Sequence, residues 1–434
     1  MRSLSHVGRP SRRAAWTLAD QAVSSIINLG VSVFVARAVP ADAFGGFSLA
    51  FATYLILLGV SRACTSSPLG IRFSTARHRH WQNAVAASSA ASLVLGVAAG
   101  LTLGLFALFA WGPRHSVGAA MLALAFALPL LLLQDQWRFA FFARAWPQYA
   151  LVTDLVWATA IAAGFGLLTL LGVTRVWTAI LAWGAAAGIA AFVSCIRAGV
   201  SPNPPRALSW FRAHRDLTPS LLGDYALSVG ITQAMVFAVA ALSGLAAAGA
   251  LRGAQVIFGP VNVVIMAASA TAVPEGSRLL ARAPHRLLSA MGAVSVLVAS
   301  VALTWGCLVT LLMPDALGHQ LLGDTWLHAG SVLPALTVLM AASGVATGAL
   351  VALRVLELPS RAVRVRALGA PFLLMGGTIG ALLHGAPGAV WGQCIPMGLM
   401  ATLWWTEVVS VLPSRRPTHV AATPQHARRT PRDT

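Results

Sequence analysis

The sequence contains no lysine and very few acidic residues. Only 10% of its 434 residues are charged, and 30 arginines against 12 acidic side chains give a net charge of +18. A soluble domain usually has about 25% charged residues, because its surface must face water. Hydrophobic residues make up 57% of the chain, and the mean hydropathy is +0.76. This composition excludes an ordinary soluble fold and indicates a protein that lies in a lipid bilayer.

Cysteine is also scarce, and the motifs of soluble enzymes are missing. The four cysteines lie far apart, without the spacing of a metal site or a disulfide framework. The sequence has no Walker loop, no dinucleotide-binding glycine pattern, and no HExxH or GxSxG motif. No loop is long enough to hold a catalytic domain. We therefore expect no enzyme activity, no cofactor and no metal.

Apolar runs of about 20 residues or more, the length that crosses a bilayer as a helix, recur along the chain. They lack the two-residue alternation of barrel strands, so helices are favoured. The first six runs cover residues 17–38, 44–66, 84–111, 117–142, 148–171 and 176–198. The last six cover residues 218–243, 249–273, 287–313, 327–353, 362–384 and 387–412.

These runs predict an all-α membrane protein with about twelve transmembrane helices in two six-helix lobes. The N-terminal lobe is predicted over residues 1–200 and the C-terminal lobe over 218–412. A polar cytoplasmic linker at 201–217 joins them, and an Arg- and Pro-rich tail at 413–434 is predicted to be disordered.

The arginines predict the orientation in the membrane. Basic residues accumulate in short loops on the cytoplasmic side. With the amino terminus inside, all but four of the 30 arginines fall in inner segments, the exceptions being Arg37, Arg114, Arg175 and Arg252. We therefore expect a multi-pass protein of the cell membrane with both termini in the cytoplasm. Since the arginines form no single basic patch, nucleic acid is not an expected partner.

An internal repeat relates the two halves. A displacement of 204 residues places Asp20 on Asp224 and Gly45 on Gly249. Parallel repeats with a substrate site between the halves are a recurrent transporter architecture. The sequence therefore predicts two lobes with the same orientation and a site where they meet.

Several polar side chains fall inside predicted spans, where burying a charge is costly and the residue usually faces the bundle interior. Asp20 and Asp224 are candidates for lining a cavity and coupling to cations, or alternatively for capping the inner ends of their helices. Asp135 and Arg138 are one turn apart and are candidates for an ion pair, and Asp154 is a candidate for the same cavity. The alternative for this group is a polar belt at the membrane interface.

Arg37 and Arg252 are the candidates for an anion site. Both lie in the predicted outer half, against the bias of the other arginines. The arginine fork suits a diphosphate because it donates in bidentate fashion; the alternative is that both side chains extend to the outer headgroups. We group Asn28, Gln233 and Gln255 with them as candidate substrate ligands.

Glycine and proline predict how the helices pack and bend. Four-residue glycine spacings allow helices to approach closely in lipid and occur at Gly96, Gly100 and Gly104, at Gly344 and Gly348, and at Gly376 and Gly380. Prolines inside spans are expected to bend them, and they lie at Pro129, Pro260, Pro334 and Pro396.

Residues 36–47, Ala-Arg-Ala-Val-Pro-Ala-Asp-Ala-Phe-Gly-Gly-Phe, resemble a stretch that follows the first helix of bacterial polysaccharide-biosynthesis membrane proteins. These proteins are the O-antigen-flippase-like branch of the multidrug/oligosaccharidyl-lipid/polysaccharide (MOP) exporter superfamily. Residues 249–255, 259–260 and 322–326 extend the similarity. The resemblance implies a fold of two six-helix lobes and export of a lipid-linked oligosaccharide. The implied partners are that glycan lipid, membrane lipids and glycan-assembly enzymes.

The resulting hypothesis is a flippase that moves a polyprenyl-diphosphate-linked oligosaccharide from the inner to the outer leaflet. One alternative is a cation-coupled drug or metabolite antiporter of the same superfamily, which suits the acidic residue in the first span. A membrane-bound glycan polymerase is disfavoured by the short outer loops. The last alternative is a non-transporting scaffold that recruits partners through its Arg-rich tail.

Overall fold

The computed structural model describes residues 8–411, which form α-helices, short 3-10 or π-helical turns and no strand. The helices of the first half and of the linker are α1 (Gly8–Ala38), α2 (Ala41–Ser61), α3 (Ser67–Phe73), α4 (His78–Ala110), α5 (Ser116–Ala143), α6 (Pro147–Leu170), α7 (Val176–Ala198) and α8 (Ala207–Ala213). The second half contains α9 (Thr218–Tyr225), α10 (Ile231–Ser243), α11 (Leu245–Ile257), α12 (Gly259–Arg282), α13 (Leu287–Cys307), α14 (Asp315–Leu322), α15 (Trp326–Ala329), α16 (Leu333–Val355) and α17 (Pro359–Val411).

Ten helical segments within residues 8–411 are long and apolar enough to cross a membrane. The pair α11 and α12 adds an eleventh span that is bent by 52°. Helix α17 is itself two helices, because His384 and Gly385 have non-helical backbone angles. Its two arms lie side by side, since a Cβ at Gly380 would fall 1.9 Å from the carbonyl oxygen of Gly388. Counting the arms separately gives twelve spans, which confirms the predicted all-α membrane fold.

The observed helix bounds agree closely with the predicted spans where loops are polar. The sixth and seventh predicted spans coincide with Val176–Ala198 and with Thr218–Ser243. Pro129 and Pro396 lie inside helices, whereas Pro260 and Pro334 lie in the first turns of α12 and α16. There a missing N–H costs nothing, so both prolines start helices. Pro260 does so directly after the 52° bend between α11 and α12, where a bend was expected. Residue 412 of the last predicted span and the tail at 413–434 fall outside the described residues.

The glycine spacings mark close helix contacts, as predicted. A Cβ at Gly100 would lie 2.4 Å from the carbonyl oxygen of Ala125, and one at Gly348 would lie 2.1 Å from that of Met291. Both distances are too short for any side chain, so α4 packs on α5 and α16 on α13 at backbone separation. The same arrangement recurs between the two arms of α17.

Helices α2 and α11 meet through a reciprocal contact. A Cβ at Gly45 would lie 2.0 Å from the carbonyl oxygen of Leu245, and a Cβ at Gly249 would lie 3.1 Å from that of Ala41. Gly249 and Leu245 are Gly45 and Ala41 displaced by 204 residues (249 − 45 and 245 − 41). Such an exchange of equivalent contacts is the mark of a two-fold relation. It supports the repeat inferred from the sequence and places its axis between these two helices.

Two equivalent turns also support the repeat. Ala145 and Glu357 are the non-glycine residues in the described chain with positive φ, at 59° and 60°. Each stands two residues before the proline that starts the next helix, Pro147 or Pro359. Each turn closes with the same backbone bond over five residues, from Trp146 N to Phe141 O at 2.9 Å and from Leu358 N to Leu353 O at 2.8 Å.

The linker is docked on the first half of the chain. The Trp210 Nε1 of α8 donates to the carbonyl oxygen of Cys64 at 3.0 Å. Arg72 donates to the carbonyl oxygen of Ala213 at 2.8 Å and to the carboxylate of Asp216 at 2.5 Å. Residues up to Asp216 are therefore held by the helices that precede them.

The docked linker should loosen in acid because of His214. This imidazole is buried, lies 4.0 Å from the Trp210 ring, and has Nδ1 2.8 Å from the Trp210 carbonyl oxygen. Burial lowers the pKa of His214 below its ordinary value, with Arg72 acting in the same direction and the Trp210 carbonyl and Asp216 opposing it. A lowered pKa means that docking is fully stable above about pH 6.5 and weakens as the pH falls through the folded-state value.

We expect hydrogen exchange in residues 204–216, corrected for intrinsic rates, to be several-fold faster at about pH 5 than at about pH 7.5. His214→Gln should remove this difference, while the same change at the exposed His285 should leave it intact. Equal protection of the wild-type linker at both pH values would contradict the assignment.

Candidate functional site

A cavity of about 580 Å³ lies in the second half of the protein. Its walls come from α10, α11, α12, α16 and both arms of α17. Apolar side chains form most of the lining, with uncharged polar groups among them. These groups are Ser228, Thr232, Gln255, Asn262, Ser343, Thr347 and Gln393.

Two guanidinium groups, and no carboxylate among the described residues, line this cavity. Arg252 stands on α11 and Arg366 on the first arm of α17. Arg252 lies about 10 Å from the start of α11 and Arg366 about 10 Å from the start of α17, because a helix rises by about 1.5 Å per residue. Since the two helices start at opposite ends of the bundle, the positive charges stand at two levels of the cavity.

Arg252 sits at the contact between the two halves. Its Nη2 donates to Ser32 Oγ of α1 at 3.1 Å, and its guanidinium lies 3.9 Å from the centre of the Phe51 ring of α2. Gly249 and Gly253 flank it on α11 and allow neighbouring backbone and side chains to approach closely. The aromatic face offsets part of the cost of burial. The Arg252 Nε atom, however, is buried and has no hydrogen-bond partner in the described part of the chain.

Arg366 is the second cation of the cavity, and its side chain is 21% exposed. Its Nη1 lies 3.5 Å from Asp224 Oδ1, and its guanidinium lies 6.0 Å from the Trp404 ring. The Asp224 side chain is 59% exposed. This ion pair is long and solvated, so it compensates Arg366 only weakly.

The first half contains a buried ion-pair cluster. Arg138 of α5 donates to Asp20 Oδ2 of α1 through Nε at 2.9 Å and through Nη2 at 2.5 Å. The same Nε lies 3.3 Å from Asp154 Oδ2 of α6. Asp154 also accepts from Gln134 Nε2 at 3.1 Å. One guanidinium thus joins three helices, and both carboxylates are fully buried.

Asp135 belongs to a second ion pair beside the first. It accepts from Arg62 Nε at 2.9 Å and from Arg62 Nη2 at 2.6 Å, in bidentate geometry. The pair predicted between Asp135 and Arg138 is replaced by these interhelical pairs, because each side chain turns to a different neighbouring helix. Three carboxylates face two guanidiniums in this region, so the cluster has one excess negative charge when all are ionised. Asp20 Oδ1 and Asp154 Oδ2 have no hydrogen-bond partner among residues 8–411.

The structure brings together four of the predicted coupling residues and separates the fifth. Asp20, Asp135, Arg138 and Asp154 form the buried cluster, while Asp224 lies exposed beside Arg366. The capping alternative fails for both repeat-related aspartates. Asp20 lies well inside α1, and Asp224 lies near the end of α9, which continues directly into further helical turns.

The predicted substrate ligands are also divided. Arg252 and Gln255 line the cavity, whereas the exposed Arg37 lines a separate pocket with Phe34 and Thr169. Asn28 donates to the carbonyl oxygen of Ser24 at 3.0 Å within its own helix. Gln233 is buried on α10 outside the cavity lining. The two arginines proposed for one anion site therefore occupy different surfaces.

Arg366 is a cavity residue that the sequence reasoning missed. The orientation argument assigns Arg366 to an inner loop, and that assignment alone accounts for its positive charge. The available signal was its place inside the apolar run 362–384, where a charged residue usually has a partner or a function.

Twelve candidate spans in residues 8–411 define the chain as a multi-pass membrane protein, and a charged cavity lies among them. Its fold is similar to that of solved structures from the MOP superfamily. Neither a protein-family model nor a curated protein sequence matches the chain. The likeness comes from solved structures at low sequence identity, so it shows the fold alone.

Three solved structures illustrate this likeness. An inward-facing multidrug resistance MATE family transporter of the MOP superfamily aligns with a TM-score of 0.64 at 12% identity, over 92% of this chain and 98% of that one. The lipid II flippase MurJ in an inward closed conformation aligns with a TM-score of 0.67 at 11% identity, over 91% and 87%. A MOP superfamily transporter from Pyrococcus furiosus with reverse polarity of its binding pocket aligns with a TM-score of 0.57 at 13% identity, over 94% and 96%.

Proposed function

We propose that the protein is a flippase that moves a polyprenyl-diphosphate-linked oligosaccharide from the inner to the outer leaflet, for the synthesis of cell-surface polysaccharide. The observation that carries this proposal is Arg252. It is a half-buried cation whose buried Nε lacks a partner in the described chain, and it stands in a cavity whose described lining has no carboxylate. A buried charge without a counter-ion is costly, so the site favours an anionic group.

The chemistry of a diphosphate-linked glycan fits this cavity. A diphosphate offers several acceptor oxygens, which a guanidinium binds with short, charge-assisted bonds. Arg252 lines the cavity as one cation for such bonds, and Arg366 supplies a second cation at the other level. The amides of Gln255, Asn262 and Gln393 suit sugar hydroxyls, because an amide both donates and accepts.

We further propose two lobes, residues 1–200 and 218–412, with the linker 201–217 between them and both termini in the cytoplasm. The reciprocal contact of Gly45 and Gly249 is where the lobes would rock. Such rocking of one repeat against the other exposes a central site to each side in turn. The polyprenyl tail stays outside this polar cavity, so the cavity shields only the polar head.

Coupling to a cation is proposed for the cluster of Asp20, Arg138 and Asp154. The excess of one carboxylate, and Asp20 Oδ1, which has no hydrogen-bond partner in the described chain, leave room for one proton or one small cation. Neutralising Asp20 weakens its hold on Arg138, which joins α1 to α5 and α6. Binding of a cation would therefore change how tightly α1 is held in its lobe.

The second candidate function is a cation-coupled drug or metabolite antiporter, which the same acidic cluster and the MATE-like fold favour. The cavity lining speaks for an anionic cargo over a cationic one, because Arg252 and Arg366 repel organic cations. A non-transporting scaffold would depend on the tail at 413–434, which lies outside the described residues.

The flippase proposal is tested by deleting the gene and measuring lipid-linked sugars in each leaflet. We expect lipid-linked oligosaccharide to accumulate in the inner leaflet and the wild-type gene to reverse this. Arg252→Gln combined with Arg366→Gln should fail to restore export. The matched control is Arg364→Gln, an exposed arginine two residues before Arg366. Unchanged glycan lipids after deletion, or full rescue by the double variant, would reject the proposal.

A further inference from the structure

A second, wholly apolar cavity lies at the junction of the two halves, and we call it the seam groove. It has a volume of about 390 Å³, and hydrophobic side chains supply all of its described lining. Leu29 and Val33 of α1 form one wall, and Val256 and Ile257 of α11 form the other. Trp305 of α13 and Leu321 of α14 complete it.

The seam groove exists because the helix path breaks beside it. Helix α11 ends at Ile257, and α12 leaves at an angle of 52°. A break inside a membrane frees carbonyl groups that need a partner. Trp305 Nε1 donates to the carbonyl oxygen of Ile257 at 3.1 Å and satisfies one of them. This hydrogen bond stabilises the bend, and the groove beside the bend is therefore a stable feature of the fold.

The groove starts where the anion site ends. Val256 stands one helical turn after Arg252 on α11, so both lie on the same face of that helix. On α1, Val33 is adjacent to Ser32, which accepts the bond from Arg252 Nη2. The same two helices therefore present a cation and, one turn away, a dry hydrocarbon surface. An amphiphile with an anionic head and an apolar tail is complementary to this arrangement of charge and apolar surface.

The mouth of the groove faces hydrocarbon. Leu308, Leu312 and Leu317 line it and are 47%, 75% and 47% exposed in the isolated chain. In a bilayer these side chains contact lipid tails, so a chain can enter sideways without crossing polar protein surface. Water is not stabilised in such a groove, because the described lining offers it too few hydrogen-bond partners.

We infer that the seam groove holds the hydrocarbon tail of the transported lipid while its diphosphate contacts Arg252, an inference that rests on the proposed function. Arg252 lies in the half of the bundle where α1 ends and α11 begins, and so does the groove. It therefore receives the tail in the leaflet opposite to the arginine-rich end. The groove is thus a binding site for the lipid tail in that leaflet after the head group has moved along the cavity.

The test compares three probes on the purified full-length protein. They are geranylgeranyl diphosphate, inorganic pyrophosphate and phosphatidylglycerol, each measured by titration against thermal stability. Val256→Trp fills the groove from within, and Leu312→Trp narrows its exposed mouth where folding is less at risk. Leu297→Trp, a lipid-facing leucine of α13 that is 61% exposed and outside the groove, is the matched control.

We expect both groove variants to lower the affinity for geranylgeranyl diphosphate at least about tenfold, the equivalent of about 1.4 kcal/mol. The affinity for pyrophosphate should remain unchanged. The Leu297 control should bind all probes as the wild type does. A geranylgeranyl diphosphate that carries a diazirine on its tail should label residues 305–322 of the wild type.

Three results would overturn the inference, and they are distinguishable. Binding of geranylgeranyl diphosphate that depends on Arg252 but ignores both groove variants removes the tail site and leaves the flippase proposal standing. An equal loss of phosphatidylglycerol in the groove variants identifies an ordinary bilayer lipid as the occupant. Diphosphate binding that is insensitive to Arg252→Gln removes the proposed function together with the tail site.

Discussion

Arg138→Gln is expected to lower the free energy of unfolding by about 3–5 kcal/mol, the cost of breaking a buried ion pair by removing one partner. Arg138 is the shared partner of Asp20 and Asp154, and both carboxylates are fully buried. Without the guanidinium, two like charges face each other in a dry site. Thermal unfolding in mild detergent, followed by the monodisperse fraction after heating, measures the loss.

The cause of that loss can be separated from general damage. The triple variant Asp20→Asn, Arg138→Gln, Asp154→Asn removes all three charges at nearly constant volume and should recover more than half of the stability. The surface pair of Arg361 and Glu407, 2.7 Å long and partly exposed, provides the control. Arg361→Gln should cost no more than about 1 kcal/mol. If Arg138→Gln proves no worse than Arg361→Gln, the cluster does not hold the lobe together.

Gly45→Ala is expected to force the two halves apart at the end where α2 begins. The new Cβ would lie 2.0 Å from the carbonyl oxygen of Leu245, and backbone on both sides leaves no side chain to move away. Overpacking of this kind costs about 1–3 kcal/mol, which corresponds to a shift of about 5- to 150-fold between two conformations. Gly249→Ala should act in the same direction but less, because its Cβ would lie 3.1 Å from the Ala41 oxygen.

Spin labels on the two halves measure this displacement. Arg175→Cys and His319→Cys provide exposed sites at that end in a chain whose four native cysteines have been replaced. The distance distribution should shift to longer values in Gly45→Ala and by a smaller amount in Gly249→Ala. Identical distributions in all three proteins would show that the reciprocal contact does not set the separation of the halves.

The spans were predictable because the membrane imposes a simple rule on sequence. A helix that crosses lipid must be apolar along its length, so Val176–Ala198 and Thr218–Ser243 are bounded in the sequence by polar loops. The break after Ile257 was foreseen only in part. Pro260 indicated a bend nearby, but residues 249–273 are apolar on both sides of the break, and hydropathy carries no information on direction.

The candidate site was predictable in its composition and less so in its pairing. Charged residues inside spans pointed to Asp20, Arg138 and Asp154, which do form one cluster. Their partners depend on which helix faces meet, and a sequence repeat does not give that. Asp20 and Asp224 occupy equivalent positions, yet the first is buried and the second is 59% exposed. The repeat preserves the helices but not the chemistry between them.

The docked linker limits how one half can turn against the other. Arg72 and Trp210 hold the linker up to Asp216 against the first half, and α9 starts at Thr218. The unattached part of the linker between the two halves is therefore only Leu217. At the far side of the bundle, Gly45 and Gly249 hold the halves at backbone contact. Two attachment points at opposite ends of the bundle allow one half to rotate about the line that joins them, and they prevent it from translating along the other half.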